Sequence, residues 1–206
     1  MVIAEKGYGV IRANFPIRKS QGEGAELLSL TGGLATNQIP SQSTVTIKSE
    51  NNQALLVTIR AAAQEYVADN GNNFSIKAKA ENALVVMTVY GDSAHSSSPK
   101  SGVNPVSRML DFIAKNMNVL KFRPNHITDA AKYASENWGL NFYGKKLGIE
   151  FEHDFMGPLT AAITLVSLDE ERLQLAVNVR IPAGIVVNDL KSRVENKLAI
   201  WKKERD

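Results

Sequence analysis

Apolar and polar positions along this chain follow two periods, and the change from one to the other marks out its elements. Thr44 to Lys48 alternates with the period of two of a half-buried strand. Gln53 to Ala68 instead sets Leu55, Leu56, Ile59, Ala63, Tyr66 and Val67 at helical spacing, with Asn51 or Asn52 as cap and Asn70-Gly71 as stop. Phe74 to Ala80 and Leu84 to Tyr90 alternate or run apolar around Glu81-Asn82, which predicts a hairpin. A second helix is predicted over Val106 to Met117, opened by Asn104 and Pro105. Upstream lie an apolar-rich segment from Gly9 to Ile17, a polar loop from Arg18 to Gly24, and a strand from Ala25 to Thr31. Gly32 and Gly33 end that strand and predict an irregular connection as far as Pro40.

The second half repeats the kinds of element without repeating the letters. Thr128 to Trp138 reads as a helix capped by Asn125 or Thr128 and stopped by Gly139, and 144–157 carries no clear period. Leu159 to Leu168 and Arg172 to Ile181 predict a strong hairpin, and Asn188 or Asp189 caps a last helix through Trp201. The fold class expected is α+β, with two ferredoxin-like antiparallel α/β subdomains over 1–120 and 121–206.

Composition adds mainly exclusions. With 206 residues and 44% hydrophobic content the chain can bury a substantial core. Its 24 Lys and Arg against 21 Asp and Glu leave +3, a small difference between large numbers that gives no case for nucleic acid as a partner. Basic residues cluster over Lys191 to Arg205, but Glu195 and Glu204 interrupt them at helical spacing, as on a solvated helix face. Without cysteine there is no disulfide and no thiolate, which favours a cytoplasmic setting. No apolar run is long enough to predict a membrane span, and no signal peptide is read at the N-terminus.

Candidate chemistry concentrates in Gly91-Asp-Ser-Ala-His-Ser-Ser-Ser-Pro-Lys-Ser-Gly-Val-Asn-Pro105, which puts His95 between the end of a strand and the start of a helix. By itself His95 also fits a histidine that bonds the following turn. The segment resembles the Gly-x-x-Ala-His-Ser-Ser-x-Pro-x-x-Gly-x-Asn stretch of the two-zinc metallopeptidases grouped around carboxypeptidase G, aminoacylase and the bacterial dipeptidases. Further matches agree: Ala4-Glu5-Lys6-Gly7 with the Glu-Lys-Gly that follows the catalytic half, and the two-part layout with the inserted lid of PepV-type (Xaa-His, β-Ala-Xaa) dipeptidases.

The resemblance implies a lid, or dimerisation, domain without metal ligands of its own, with residues 1–24 as the connection from a catalytic domain of the same polypeptide. Two zinc ions are expected in that catalytic domain and no cofactor in this chain. The implied role of His95 is to donate a hydrogen bond to the oxyanion formed when a peptide carbonyl is attacked. Arg180, in a segment resembling the family's Asn-x-Arg-x-Pro strand end, is implied to hold the substrate's free carboxylate; read locally it also fits a surface ion pair. Asn37, in Gly32-Gly-Leu-Ala-Thr-Asn-Gln-Ile-Pro40, matches a family turn that contacts substrate and equally fits a turn former. Gly157 matches a glycine where backbone approaches substrate, although Pro158 removes a neighbouring amide donor.

The expected function is thus that of the inactive lid of a zinc-dependent dipeptidase, with short peptides as substrates. Alternatives are the lid of an N-acyl amino acid deacylase or aminopeptidase of the same family, or a stand-alone α/β binding or assembly module. Oligomeric state is left open. Ser96 to Ser98 beside His95 lack a Gly-x-Ser-x-Gly elbow, and adjacent residues seldom face each other. Glu150, Glu152, His153 and Asp154 read as a solvated acidic edge, and Gly7-Tyr-Gly9 lacks the third glycine of a dinucleotide fingerprint.

Overall fold

The computed structural model describes residues 5–204, so Ala4 of the Glu-Lys-Gly match and Arg205 of the basic cluster lie outside the described residues. In chain order the elements are β1 (Gly7–Pro16), β2 (Glu26–Gly32), β3 (Gln38–Ile39), β4 (Gln42–Lys48), α1 (Asn52–Asn70), β5 (Ser75–Glu81), β6 (Leu84–Tyr90), β7 (Ala94–His95), α2 (Pro105–Lys115), α3 (His126–Asn137), β8 (Glu152–His153), β9 (Gly157–Pro158), β10 (Thr160–Leu168), β11 (Arg172–Ile181) and α4 (Val187–Lys203). Short 3₁₀ turns lie at Pro99–Ser101 and Lys145–Leu147.

Seven strands form one sheet in the order β1-β11-β10-β2-β4-β6-β5, and every neighbouring pair is antiparallel. The α+β class is as expected. Because β4 and β5 each pair antiparallel with the strand between them, they run parallel to one another, and β4-α1-β5 is a split β-α-β unit with β6 inserted. Where two ferredoxin-like units were expected, the described residues share one sheet, joined through the single pair Val166 with Gly32. Strand β1, from the N-terminal half, lies at the far edge against β11 of the C-terminal half.

Helices α1, α2 and α3 pack on the sheet. Val45 and Ile47 of β4, Val85, Met87 and Val89 of β6, and Leu173, Leu175, Val177 and Val179 of β11 join Ile59, Phe112 and Ile127 of the helices in one apolar cluster. Alternation then turns Asn178 and Arg180 to the opposite face of β11. Two helix caps also peg the helices to the sheet. Asn104 Oδ1 accepts from the Val106 and Ser107 amides while its Nδ2 donates to Ile163 O at 2.8 Å. Asn125 likewise caps α3 through the Ile127 and Thr128 amides and donates to Leu27 O at 2.8 Å.

A buried carboxylate links the three helices. Asp111 of α2 accepts from Tyr66 Oη of α1 at 2.7 Å, from Ser135 Oγ of α3 at 2.6 Å and from Lys115 Nζ at 2.9 Å. Burial first, and the Asp111 charge second, push the Tyr66 phenol well above its usual value. A phenol raised in the folded state holds its stability below the unfolded value near ~10 and loses it as pH rises toward the folded one. Tyr66→Phe is therefore expected to cost about 1–3 kcal/mol in urea unfolding at pH ~7. The same titration above pH ~10 is expected to show a shallower decline for the variant than for the parent; equal stability of the two at neutral pH would contradict the network.

Candidate functional site

On the sheet face opposite the helices, two loops are clamped over β10. The first begins at Gly33, whose φ of +85° and whose absent Cβ, which would lie 2.0 Å from Thr164 O, admit no other residue without strain. Thr164 Oγ1 donates to Thr36 O at 2.9 Å and holds this loop down. The second loop, 91–104, is closed at its base by the reciprocal bonds between Asp92 and Val103. The loops then pair with each other, Gln38 opposite His95 and Ile39 opposite Ala94. Ser96 N donates to Asn37 O at 3.0 Å, and Thr160 Oγ1 of β10 donates to Ser96 O at 3.2 Å.

This clamp opens onto a cleft of about 820 Å³ lined by Asn37, His95, Gly157 and Arg180 together. Four positions spread over more than 140 residues of sequence thus meet at one surface. His95 is exposed, and its Nδ1 accepts the Ser97 amide at 3.2 Å with Ser97 Oγ at 2.7 Å. An amide can only donate, so Nδ1 is the acceptor and the hydrogen of the neutral ring sits on Nε2. Asn37 is exposed, and its side-chain amide has no hydrogen bond to a described residue. Gly157 has φ +71°, which favours glycine, and a Cβ there would meet nothing closer than 3.9 Å, so the requirement is conformational.

Arg180 is partly buried and is held on three sides. Its Nε donates to Asn178 Oδ1 at 3.1 Å, Nε and Nη2 both approach Ser96 Oγ, at 3.4 and 3.2 Å, and the Tyr8 ring lies 4.9 Å from the guanidinium carbon. Tyr8 is itself tied to Thr36 Oγ1 at 2.9 Å. Among the described residues no carboxylate pairs with Arg180, so the surface ion pair that its local sequence also fits is not what holds it. With Arg180, Lys6 and Lys100 give the cleft three cations against Glu5 in its lining and Glu152 beside Lys6, a net positive balance. Lys6 Nζ donates to Pro158 O; burial lowers its pKa, and the Glu152 charge opposes that shift.

Sequence reasoning missed Ser96, Asn178 and Tyr8 as parts of this arrangement. Asn178 carried a usable signal, since two residues from Arg180 on a strand means the same face. For Ser96 to Ser98 the sequence offers no nucleophile elbow and only the weak expectation that neighbours face each other. Ser97 Oγ does face His95, but no described carboxylate orients Nε2, so the pair lacks the third member of a nucleophilic triad. His153 Nδ1 accepts the Phe155 and Met156 amides, both at 3.1 Å, and shapes the β8–β9 hairpin. Among the described residues no group of three or more His, Cys, Asp or Glu could hold a metal ion, and no helix is long and apolar enough to cross a membrane.

No known protein-family profile matches the chain. Individual proteins do. A protein of Staphylococcus epidermidis that is a dipeptidase by name is 25% identical over 176 residues, covering 84% of this chain and 35% of its own length. A second dipeptidase by name, from Staphylococcus saprophyticus, is 22% identical over 174 residues, with 84% and 35% covered. The β-Ala-Xaa dipeptidase of Lactobacillus delbrueckii is 27% identical over 199 residues, with 93% and 39% covered. The chain spans little more than a third of the length of these relatives, and what it is similar to is a segment of dipeptidases.

Proposed function

We propose that this chain is the lid of a zinc-dependent dipeptidase. The observation that carries the reading is the convergence of His95, Asn37 and Arg180 on one electropositive cleft, each with donors left free to meet a ligand. Hydrolysis of a peptide bond places negative charge on the carbonyl oxygen, and a fixed donor in a site closed from water stabilises it by several kcal/mol. His95 Nε2–H fits that task because Nδ1 is committed to the Ser97 amide. Arg180, oriented but without a carboxylate, fits a substrate with a free C-terminus, and the Asn37 amide stands beside it for the carbonyl or carboxylate. Gly157 keeps the cleft wall low at the β8–β9 hairpin.

The two zinc ions of such an enzyme have no ligand cluster among the described residues, so in this reading they belong to a catalytic domain outside the chain. The same reading takes the split β-α-β unit as one ferredoxin-like half and the β1, β10, β11, α3 and α4 region as the other. It sets the enzyme in the cytoplasm, consistent with the lack of cysteine.

Two measurements test the proposal. His95→Ala in the complete polypeptide is expected to lower kcat on dipeptides by about 10²–10³ with metal content unchanged. Turnover equal to the parent's would overturn the role of His95, and cleavage of N-acetyl amino acids in preference to dipeptides would move the reading to a deacylase. In this chain by itself, ¹⁵N shifts of His95 at a pH where the ring is neutral are expected to show Nε2 protonated and Nδ1 bare. A ring protonated on Nδ1 would mean that the donor points into the loop rather than the cleft.

A further inference from the structure

We propose that Ser96 is a positioning residue which sets how Arg180 presents itself to the substrate carboxylate and how far that grip stands from His95. The inference rests on the dipeptidase reading above. Ser96 is 1% exposed, so its hydroxyl contacts no substrate. It sits instead where the site residues meet: it follows His95 in the chain, its amide donates to Asn37 O, and its Oγ accepts from Arg180.

A guanidinium offers two edges to a planar anion, one made of Nε and Nη2 and the other of Nη1 and Nη2. Ser96 Oγ occupies the first edge, and Asn178 Oδ1, fully buried, reinforces it at Nε. The second edge is left for the ligand. The Tyr8 ring, 4.9 Å from the guanidinium carbon, adds a contact that opposes rotation of the group away from Ser96 and Asn178. A hydroxyl one residue from His95 therefore fixes both the orientation of the carboxylate grip and its distance from the oxyanion donor. Such a pairing suits a substrate whose scissile carbonyl and free carboxylate lie on adjacent residues, as at the one peptide bond of a dipeptide or the last bond of a longer peptide.

The test uses the complete polypeptide with a dipeptide and with the same dipeptide as its C-terminal amide, which the guanidinium cannot grip bidentately. Ser96→Ala is expected to raise KM for the free dipeptide about tenfold, with less than a twofold change in kcat/KM for the amide. In an Arg180→Lys background the same substitution is expected to cost almost nothing more, and Ser96→Thr, which keeps the hydroxyl, is expected to restore most of the affinity. Equal losses on both substrates, or losses that multiply with Arg180→Lys, would show a general structural role and overturn the proposal. Hydrogen exchange at the Arg180 Nε–H, followed by ¹⁵N NMR on this chain, separates the two levels. If Ser96→Ala speeds that exchange about tenfold while the complete polypeptide hydrolyses no dipeptide, the dipeptidase reading fails and the positioning contact stands. If dipeptides are cleaved and the exchange rate is unmoved, the role of Ser96 fails alone.

Discussion

A two-residue ladder, Gln38 with His95 and Ile39 with Ala94, is the constraint on which the cleft depends. Each loop that contributes to it leaves the sheet after a strand and returns to begin another element, and alone each would be free to sample many conformations. Fixing a residue's backbone costs about 1–2 kcal/mol, so an ordered loop needs compensating contacts along its length. Here Ile39 supplies apolar burial at 1% exposure, and Thr164 and Thr160 of β10 donate to the loop carbonyls from below. The exposed side chains of Asn37 and His95 therefore stand on backbone that is paired, bonded and packed.

How far this was legible follows from which interactions are local. The hairpin expected from 159–168 and 172–181 is found as β10 and β11, and the helix over Val106 to Met117 as α2 from Pro105 to Lys115, because period and capping act within a few residues. Asn125 proves to be the cap of α3, with Thr128 completing its capping box, whereas α4 begins at Val187 without the side-chain cap expected from Asn188 or Asp189. Strand β1 runs from Gly7 to Pro16 rather than from Gly9 to Ile17, since its limits are set by register with β11. The pairing of β3 with β7 had no signal, for two residues carry no period and their partners are 55 or more positions apart. The same applies to Ser96 and Tyr8, which matter only because distant strands bring Arg180 to them.

Alternation on β11 divides labour within a single strand. Leu173, Leu175, Val177 and Val179 face the helices and fix the strand's position to the precision of a close-packed core. Asn178 and Arg180 face the other way and inherit that precision, so the guanidinium is placed by apolar packing on the far side of the sheet. Strand β10 shows the complementary case. It is buried along most of its length on both faces, between the helices and the loops, and its threonines bond the loops where a wholly apolar strand would not. This interior strand thus serves as floor for the cleft and as roof for the core.

The groups that meet in the cleft share one electrostatic character. His95 presents Nε2–H, Arg180 a free guanidinium edge, Lys6 and Lys100 their ammonium groups, and Glu5 with Glu152 beside Lys6 does not balance three cations. Such a surface attracts an anion and stabilises negative charge that develops on a bound molecule, and it does so with groups already oriented. It is poorly made for proton abstraction, because the one imidazole has its Nδ1 lone pair taken by a backbone amide and its Nε2 already protonated. A reaction that needs a nucleophile and a base must draw them from a surface facing this one. The relatives are nearly three times as long as the segment they share with this chain, which under the proposed reading leaves room for another part of the polypeptide to generate the attacking group.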